Sequence, residues 1–272
     1  MSGLSLTPAE ERALTSALNG PVLPRRARRT TPDATIPFER IVTYDASKEP
    51  VPQGVVPRVR AEALNRTLNV VLAALGLLIT APLLLVIGII IKLTSRGPIL
   101  YAQTRVGLDR RWRQTLAMHD RRVRDLGGAV FTIYKFRTMR VDAEAKSGAV
   151  WAKENDPRVT PLGRYLRVLR LDELPQLWNI LRGDMNIVGP RPERPSIVAR
   201  LQRDIPDYGS RHRVRPGLTG LAQINQQYDA CLDDVRSKVS FDLDYLRRQS
   251  LLLDLRIMVR TVPAVLLKYR GW

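Results

Sequence analysis

The longest hydrophobic run in the chain extends from Val70 to Ile91 and contains one polar residue, Thr80, and one proline, Pro82. As a helix this run would be about 33 Å long, enough to cross the hydrocarbon core of a bilayer. Basic residues flank both ends, and a single span would place one of the two groups on the wrong face by the positive-inside bias. Pro82 bends a helix near its middle. The pattern therefore favours a re-entrant hairpin whose two short arms enter and leave the same leaflet.

Two other interpretations of this run stay open. Transmembrane helices tolerate proline when neighbouring groups satisfy the freed backbone carbonyl, so a kinked span is one of them. The other is a helix buried in the core of a soluble protein, although the run is long for that role.

The rest of the pattern predicts short elements. Apolar–polar alternation predicts strands at Ile99–Ala102 and Ala129–Met139. Helical spacing predicts a helix from Thr160 towards Leu171 with Leu162, Tyr165, Leu166 and Leu169 on one face, a short helix at Ser196–Ile205, a helix with Val235, Val239, Leu243 and Leu246 on one face, and a last helix at Ser250–Lys268. The last helix has cations opposite an apolar stripe, which favours an interfacial position over ordinary packing. We therefore predict a mainly α fold with a small β-hairpin, an α+β class.

The first sixty residues differ from the rest. Thr7-Pro8-Ala9-Glu10 is a capping box and predicts a helix that ends at Asn19-Gly20. From Pro21 to about Pro57 little periodicity is present, and we predict an extended or disordered tail. The chain accordingly divides into an N-terminal extension, residues 1–63, and one domain, residues 64–272, that includes the membrane-embedded segment 70–91.

Charge and composition narrow the chemistry. Lys and Arg total 44 against 26 Asp and Glu, a net charge of +18, which favours an anionic partner such as nucleic acid, an anionic membrane or a nucleotide-linked substrate. Cys231 is the only cysteine, so an internal disulfide and a Cys-based metal cluster are excluded. The two histidines, His119 and His212, argue against a His-rich metal site. Catalysis would have to rest on carboxylates and arginines.

Two adjacent carboxylates, Asp172 and Glu173, are the strongest candidates. They precede a helical stripe formed by Leu174, Leu177, Trp178 and Leu181, and they lie among Arg164, Arg167, Arg170 and Arg191. Pro175 suits the first turn of that helix, which places Asp172 at or near the N-cap. Acids and arginines at a helix N-terminus suit a metal ion and a phosphorylated substrate. Ordinary capping with salt-bridged arginines is the alternative.

Six motifs occur together in one order: Gln103–Gly107, Tyr134–Met139, Asp172–Leu177, Gly183–Met185, Val188–Pro192 and Pro216–Gly220. With the preceding hydrophobic segment, they resemble the bacterial sugar transferase family of polyprenyl-phosphate hexose-1-phosphate transferases, the monotopic phosphoglycosyl transferases. The resemblance covers residues 64 to about 266. It implies a monotopic membrane protein at the cytoplasmic face of the bacterial inner membrane.

The resemblance also implies a reaction. Such enzymes transfer a hexose-1-phosphate from a UDP-sugar, with galactose or glucose favoured, to undecaprenyl phosphate and release UMP, which initiates exopolysaccharide, capsule or O-antigen synthesis. Asp172 would be the nucleophile, kept ionised by the surrounding arginines, and Glu173 would ligate Mg²⁺. Lys135, Arg167 and Arg191 would bind substrate phosphate. Inner-membrane lipids would be partners, a homodimer is possible by the same resemblance, and nucleic acid is not expected.

Three departures from the family pattern stand out. Asn69 replaces a usual Asp, Asn186 replaces a usual Ser, and the excursion from about Arg110 to Gly128 is longer than usual. They leave the chemistry of the acid pair untouched. One competing hypothesis is a non-enzymatic, membrane-anchored polybasic protein that binds anions, for which the acid pair would have no purpose. Another is a phospholipid or polyprenyl phosphatase with an aspartyl intermediate, which would not need a nucleotide sugar.

Overall fold

The computed structural model describes residues 54–110, 127–141, 143, 156–226 and 232–265. All of them belong to one compact unit, Ala34–Trp272. The predicted N-terminal helix, almost all of the predicted tail and most of the excursion between 110 and 128 lie outside the described residues.

Helices dominate the described part of the chain. The elements are α1 (Glu62–Thr94), β1 (Leu100–Val106), β2 (Val130–Phe136), α2 (Pro161–Val168), a 3₁₀ helix (Leu171–Glu173), α3 (Gln176–Arg182), β3 (Asn186–Val188), α4 (Pro195–Asp204), a second 3₁₀ helix (Tyr208–Arg213), β4 (Gly217–Thr219), α5 (Leu221–Asn225), α6 (Leu232–Arg248) and α7 (Leu251–Pro263). The predicted α+β class is confirmed.

The hydrophobic run forms α1, a single helix of 33 residues with Pro82 inside it. Among the described residues, α1 is the one helix long and apolar enough to cross a membrane, and 11% of its most apolar window is buried within the protein. A core helix of a soluble protein would be mostly buried, so the exposed apolar surface of α1 argues against that alternative.

Residues on both sides of Pro82 pack against the same unit. Ala73 belongs to a core cluster with Ile133 of β2 and Ile180 of α3. Ile87 and Ile91, beyond the proline, belong to a cluster with Phe136, also of β2. Helix α1 therefore lies along the surface of the unit instead of projecting from it at one end.

Guanidinium groups fix both ends of α1. Arg66 donates to the carbonyls of Ile180 and Leu181, at 2.5 and 2.6 Å, and so satisfies carbonyls at the end of α3. Arg137 donates to the carbonyls of Arg96 and Ser95 just beyond the other end of α1, at 2.8 and 2.9 Å. These bonds tie the hydrophobic helix to α3 and to the residue that directly follows β2.

Two small sheets complete the scaffold. Strands β1 and β2 form the predicted antiparallel hairpin, in register from Leu100 opposite Phe136 to Val106 opposite Val130. Strands β3 and β4 form a parallel pair, with Asn186 opposite Gly217. The sequence did not predict this second sheet, because three-residue strands are too short to show a period.

The predicted helices are present, and the apolar face predicted for α2 is only partly buried. Helix α2 begins as expected, with the Thr160 hydroxyl accepting the Gly163 N–H at 3.0 Å. Leu166 is buried, yet Tyr165 and Leu169 are 71% and 52% exposed, since none of the described elements covers that side. Helices α4, α6 and α7 match their predicted positions, and Ser250 caps α7.

A buried ion pair links the second 3₁₀ helix to α6. Arg211 contacts the Asp242 carboxylate through Nη2 at 2.6 Å and Nε at 2.9 Å, and both side chains are almost fully buried. Burial raises the pKa of Asp242, and the guanidinium opposes that shift. An isolated charge at this depth would be strongly destabilising, so each partner depends on the other.

We expect Arg211→Met to lower the free energy of unfolding by about 3–5 kcal/mol, because it leaves the Asp242 carboxylate buried without its partner. The double variant Arg211→Met/Asp242→Leu should recover part of this loss. Arg236→Met, which breaks the exposed pair with Asp233, is the control and should cost less than about 1 kcal/mol. Chemical denaturation of the full chain in detergent measures all three, and equal losses for the two single variants would contradict the prediction.

Candidate active site

The acid pair lies in a 3₁₀ helix before α3, which corrects the predicted N-cap. Asp172 and Glu173 belong to the turn Leu171–Glu173, and Pro175 is the N-cap of α3. Arg170, directly before the turn, has a φ of 57° in the left-handed region, which non-glycine residues rarely occupy. The acid pair is therefore displaced from the N-terminus of α3 by one tight turn.

Glu173 is clamped between two cations from different elements. Lys135 of β2 donates to Oε1 at 2.8 Å. Arg191 bonds Oε1 through Nη2 and Oε2 through Nη1, the latter at 3.3 Å. Burial alone would raise the pKa of Glu173, but Arg191 and Lys135 outweigh burial and hold that pKa well below its usual range. Glu173 is thus a permanent carboxylate in the site.

Asp172 is buried without a hydrogen-bond partner at Oδ1. Burial, together with the neighbouring charge of Glu173, raises the pKa of Asp172 to about 6, although Lys135, Arg167 and Arg170 oppose the shift. The prediction that arginines hold this group firmly ionised is therefore too simple, because burial outweighs them. At neutral pH Asp172 is still mainly a carboxylate, and it is a poorly solvated one.

The other predicted site residues differ in how they contact the acid pair. Lys135 and Arg191 contact the acid pair directly through Glu173, and burial lowers the pKa of Lys135 while Glu173 opposes that change. Arg167 instead donates from Nε to the Thr138 hydroxyl at 2.9 Å and acts on Asp172 through its charge. The predicted stripe is also incomplete, because Trp178 is 52% exposed.

A second set of charged residues, which the sequence did not reveal, holds the loop of Arg191. Arg105 donates to the Pro192 carbonyl at 3.0 Å, and Arg211 donates to the Arg191 carbonyl at 3.1 Å. Glu193 in the same loop accepts from Lys238 at 3.1 Å and pairs with Arg105 at 3.4 Å. The one sequence signal for this set was that Arg105 belongs to the Gln103–Gly107 motif. The residues that it and the loop contact are remote in sequence.

The acid pair has a donor set suited to a magnesium ion. Mg²⁺ prefers oxygen ligands and is commonly held by one or two carboxylates together with substrate phosphates. Oδ1 of Asp172 is buried with no hydrogen-bond partner, and Oε2 of Glu173 accepts one bond where a carboxylate oxygen has room for two. Among the described residues no group of three or more His, Cys, Asp or Glu could hold a metal alone. Substrate oxygens would have to complete the coordination.

An apolar groove of about 840 Å³ lies between α1, β2 and the start of α3. Its walls include Leu84 and Gly88 of α1, Tyr134 of β2, and Pro175 and Trp178 at the start of α3. Tyr134 precedes Lys135 in sequence, and Pro175 follows Glu173 by two residues. The lining of the groove therefore comes from the same segments of the chain as Lys135 and Glu173.

Comparisons with known proteins agree on one family. The family model for bacterial sugar transferases matches residues 60–268. The chain is 42% identical over 217 residues to a UDP-glucose:undecaprenyl-phosphate glucose-1-phosphate transferase of Caulobacter vibrioides, a match that covers 79% of this chain and 74% of that protein.

Two further relatives are longer. A UDP-N-acetylgalactosamine-undecaprenyl-phosphate N-acetylgalactosaminephosphotransferase of Aeromonas hydrophila is 39% identical over 203 residues, covering 75% of this chain and 44% of that protein. A UDP-glucose:undecaprenyl-phosphate glucose-1-phosphate transferase of Escherichia coli K12 is 39% identical over 201 residues, covering 73% and 39%. The chain spans less than half the length of these two relatives.

We expect the loop of Arg191 to weaken in acid through Glu193. Burial alone would raise the pKa of Glu193, but Lys238 and Arg105 lower it from 4.5 to about 2. The stabilisation of about 3 kcal/mol is therefore complete above pH 4.5, declines as the pH falls, and is gone below about pH 2. Urea unfolding should show wild-type protein more stable than Glu193→Gln at pH 7, with more than half of the difference lost by about pH 3. A difference that does not change with pH would contradict the assignment.

Proposed function

The chain belongs to the bacterial sugar transferase family of polyprenyl-phosphate hexose-1-phosphate transferases, and on that premise we propose that it moves a hexose-1-phosphate from a UDP-sugar to undecaprenyl phosphate and releases UMP. The observation that carries this proposal is the pairing of two unlike carboxylates. Glu173 is held by Lys135 and Arg191, whereas Asp172 beside it is buried and has an unpaired oxygen. Family membership makes the chain an enzyme and removes the non-enzymatic alternative.

In the proposed first step Asp172 is the nucleophile. Its carboxylate attacks the phosphorus that bears the sugar, a P–O bond forms, and the bond from that phosphorus to the UMP oxygen breaks. Burial and the missing partner at Oδ1 support this role, because a weakly solvated carboxylate is more reactive than a hydrated one. Lys135, Arg167 and Arg191 would stabilise the negative charge of the diphosphate.

In the proposed second step the lipid phosphate displaces the protein. A phosphate oxygen of undecaprenyl phosphate attacks the same phosphorus, which regenerates the Asp172 carboxylate and leaves a lipid diphosphosugar. The apolar groove supports this step, because it offers a prenyl chain an apolar surface that includes Trp178 and Leu84, formed by the segments that also carry Lys135 and the acid pair. A Mg²⁺ ion held by Glu173, with Asp172 near it, would supply charge neutralisation for the phosphate oxygens.

The contacts of α1 support a monotopic position at the inner membrane. A helix that crossed the bilayer would place its ends on opposite sides, about 30 Å apart. Here Arg66 near one end and Ser95 just beyond the other are both bonded to the same unit. The structure has α1 as one helix with Pro82 inside it and not as two separate arms. The re-entrant hairpin therefore stays a prediction, in which α1 would bend at Pro82 into one leaflet with the acid pair at its cytoplasmic surface. A homodimer likewise stays a prediction.

The sugar is proposed by class only. Galactose or glucose is our prediction, and the names of the relatives add N-acetylgalactosamine to the donors worth testing. One relative is named an exopolysaccharide production protein of Rhizobium leguminosarum, which supports a place at the start of polysaccharide assembly. A panel of these three UDP-sugars with undecaprenyl phosphate would identify the donor.

Asp172→Asn should lower UMP release by about 1,000-fold or more, because an amide cannot form the acyl phosphate. Wild-type protein incubated with the UDP-sugar alone should gain the mass of a hexose phosphate on Asp172, and Asp172→Asn should gain none. Intact-protein mass spectrometry measures the adduct. Asp233→Asn, an exposed carboxylate on α6, is the matched control and should behave as wild type. Product formation by Asp172→Asn at the wild-type rate would refute the assignment.

Chelation of divalent cations should stop UMP release, and added Mg²⁺ should restore it. Glu173→Gln should need at least about tenfold more Mg²⁺ for half-maximal rate, because it replaces a charged ligand with a neutral one. The measurement is a Mg²⁺ titration of UMP release, with Asp233→Asn as control. A rate unaffected by chelation would exclude the proposed role of the cation.

A further inference from the structure

Asn179 of α3 is fully buried, and its side-chain amide uses its hydrogen-bonding groups on two separate elements. Oδ1 accepts the backbone N–H of Tyr134 at 3.1 Å. Nδ2 donates to the backbone carbonyl of Thr132 at 2.7 Å and to Oδ2 of Asp184 at 3.1 Å. The sequence patterns did not identify Asn179 as a functional residue.

The two bonds to β2 resemble those of a neighbouring strand. Strand β2 is paired with β1 along one edge, and the amide of Asn179 serves Thr132 and Tyr134 on the edge that faces α3. An amide can accept and donate at the same time, whereas a carboxylate can only accept and an aliphatic group can do neither. A carboxylate or an aliphatic replacement therefore leaves at least one backbone group of β2 unpaired between two packed elements, which is costly.

The backbone of Asn179 is also bonded to the turn that follows α3. Its carbonyl accepts the N–H groups of Gly183, Asp184 and Met185, at 3.1, 3.0 and 3.4 Å. This turn closes α3 and leads into β3 and the loop that carries Arg191. One residue is thus bonded to the strand of Lys135, to the helix that follows Glu173, and to the turn that precedes Arg191.

We propose that Asn179 is a positioning residue that keeps Lys135 of β2 on Glu173. Lys135 follows Tyr134 directly, and Glu173 lies six residues before Asn179, so the amide joins the two segments that the 2.8 Å ion pair connects. Loss of the amide would let β2 shift relative to α3, and a shift of about 1 Å at a charged site can reduce a rate by about a hundredfold. The inference rests on the proposed transferase function.

Two variants test the hydrogen bonds between the Asn179 amide and β2, which we call the joint, with different chemistry. Asn179→Leu keeps the approximate volume and removes both bonds to β2. Asn179→Asp keeps an acceptor for Tyr134 but sets a carboxylate against the Thr132 carbonyl and the Asp184 carboxylate, so it remains informative if the first variant folds poorly. Leu246→Ala, a fully buried position in another core cluster, is a control for general loss of stability.

Hydrogen exchange tests the joint without turnover. The β2 peptide covering residues 130–136 should exchange faster in both Asn179 variants than in wild type. In Leu246→Ala its exchange rate should equal that of wild type. Equal exchange in all proteins would overturn the claim that the amide holds the strand.

Turnover tests the function of the joint, with the most active donor among UDP-glucose, UDP-galactose and UDP-N-acetylgalactosamine. Both Asn179 variants should lose about tenfold or more in kcat with little change in the KM for the donor, whereas Leu246→Ala should stay within about twofold of wild type. In a Lys135→Met background Asn179→Leu should cost less than about twofold more, since the joint acts through Lys135.

The outcomes separate the two proposals. Effects of Asn179→Leu and Lys135→Met that multiply fully, or an Asn179→Leu variant no slower than Leu246→Ala, would overturn the positioning role while leaving the transferase function intact. Wild-type protein that releases no UMP from any of the three donors would instead refute the transferase function, and the positioning role would fall with it.

Discussion

The structure depends on burying two adjacent carboxylates, which is possible because cations from two separate elements meet at one of them. Two neighbouring negative charges in a poorly solvated site repel each other and lose hydration, and either effect alone favours protonation. Lys135 and Arg191 pair with Glu173 and keep it ionised. Burial and repulsion by Glu173 instead raise the pKa of Asp172. The asymmetry fixes one acid between two cations and leaves the other with an unpaired oxygen, which is the basis of the different roles proposed for them.

The remainder of the scaffold can be understood as support for these two cations. Lys135 is delivered by a two-stranded hairpin, which is marginal without further packing, and α1 and α3 cover it. Arg191 is delivered by a loop whose carbonyls are held by Arg105 and Arg211. The buried pair of Arg211 with Asp242 extends that support to α6. The buried charged residues that hold Lys135 and Arg191 in place are thus all paired with opposite charges or with backbone carbonyls.

Much of this arrangement could be predicted from sequence, and the failures have a common cause. Local patterns identified the hairpin, α1, α4, α6, α7 and the acid pair. They did not show that Tyr165, Leu169 and Trp178 are exposed, because an apolar stripe on a helix does not reveal how much of it other elements cover. The roles of Asn179 and Arg211 and the pairing of β3 with β4 depend on residues remote in sequence, which no period reveals.

The position of α1 connects the charged site with the hydrophobic one. A prenyl phosphate has a tail that stays in lipid and a head that must reach buried carboxylates, so any acceptor site needs both environments within a few ångströms. Here α3 provides both, because its N-terminal end follows the acid pair and its Trp178 lines the groove. Arg66 of α1 is bonded to carbonyls at the other end of α3. In the proposed mechanism, the depth of α1 in the bilayer would set the depth of Asp172, because α1 is bonded to the same helix that follows the acid pair.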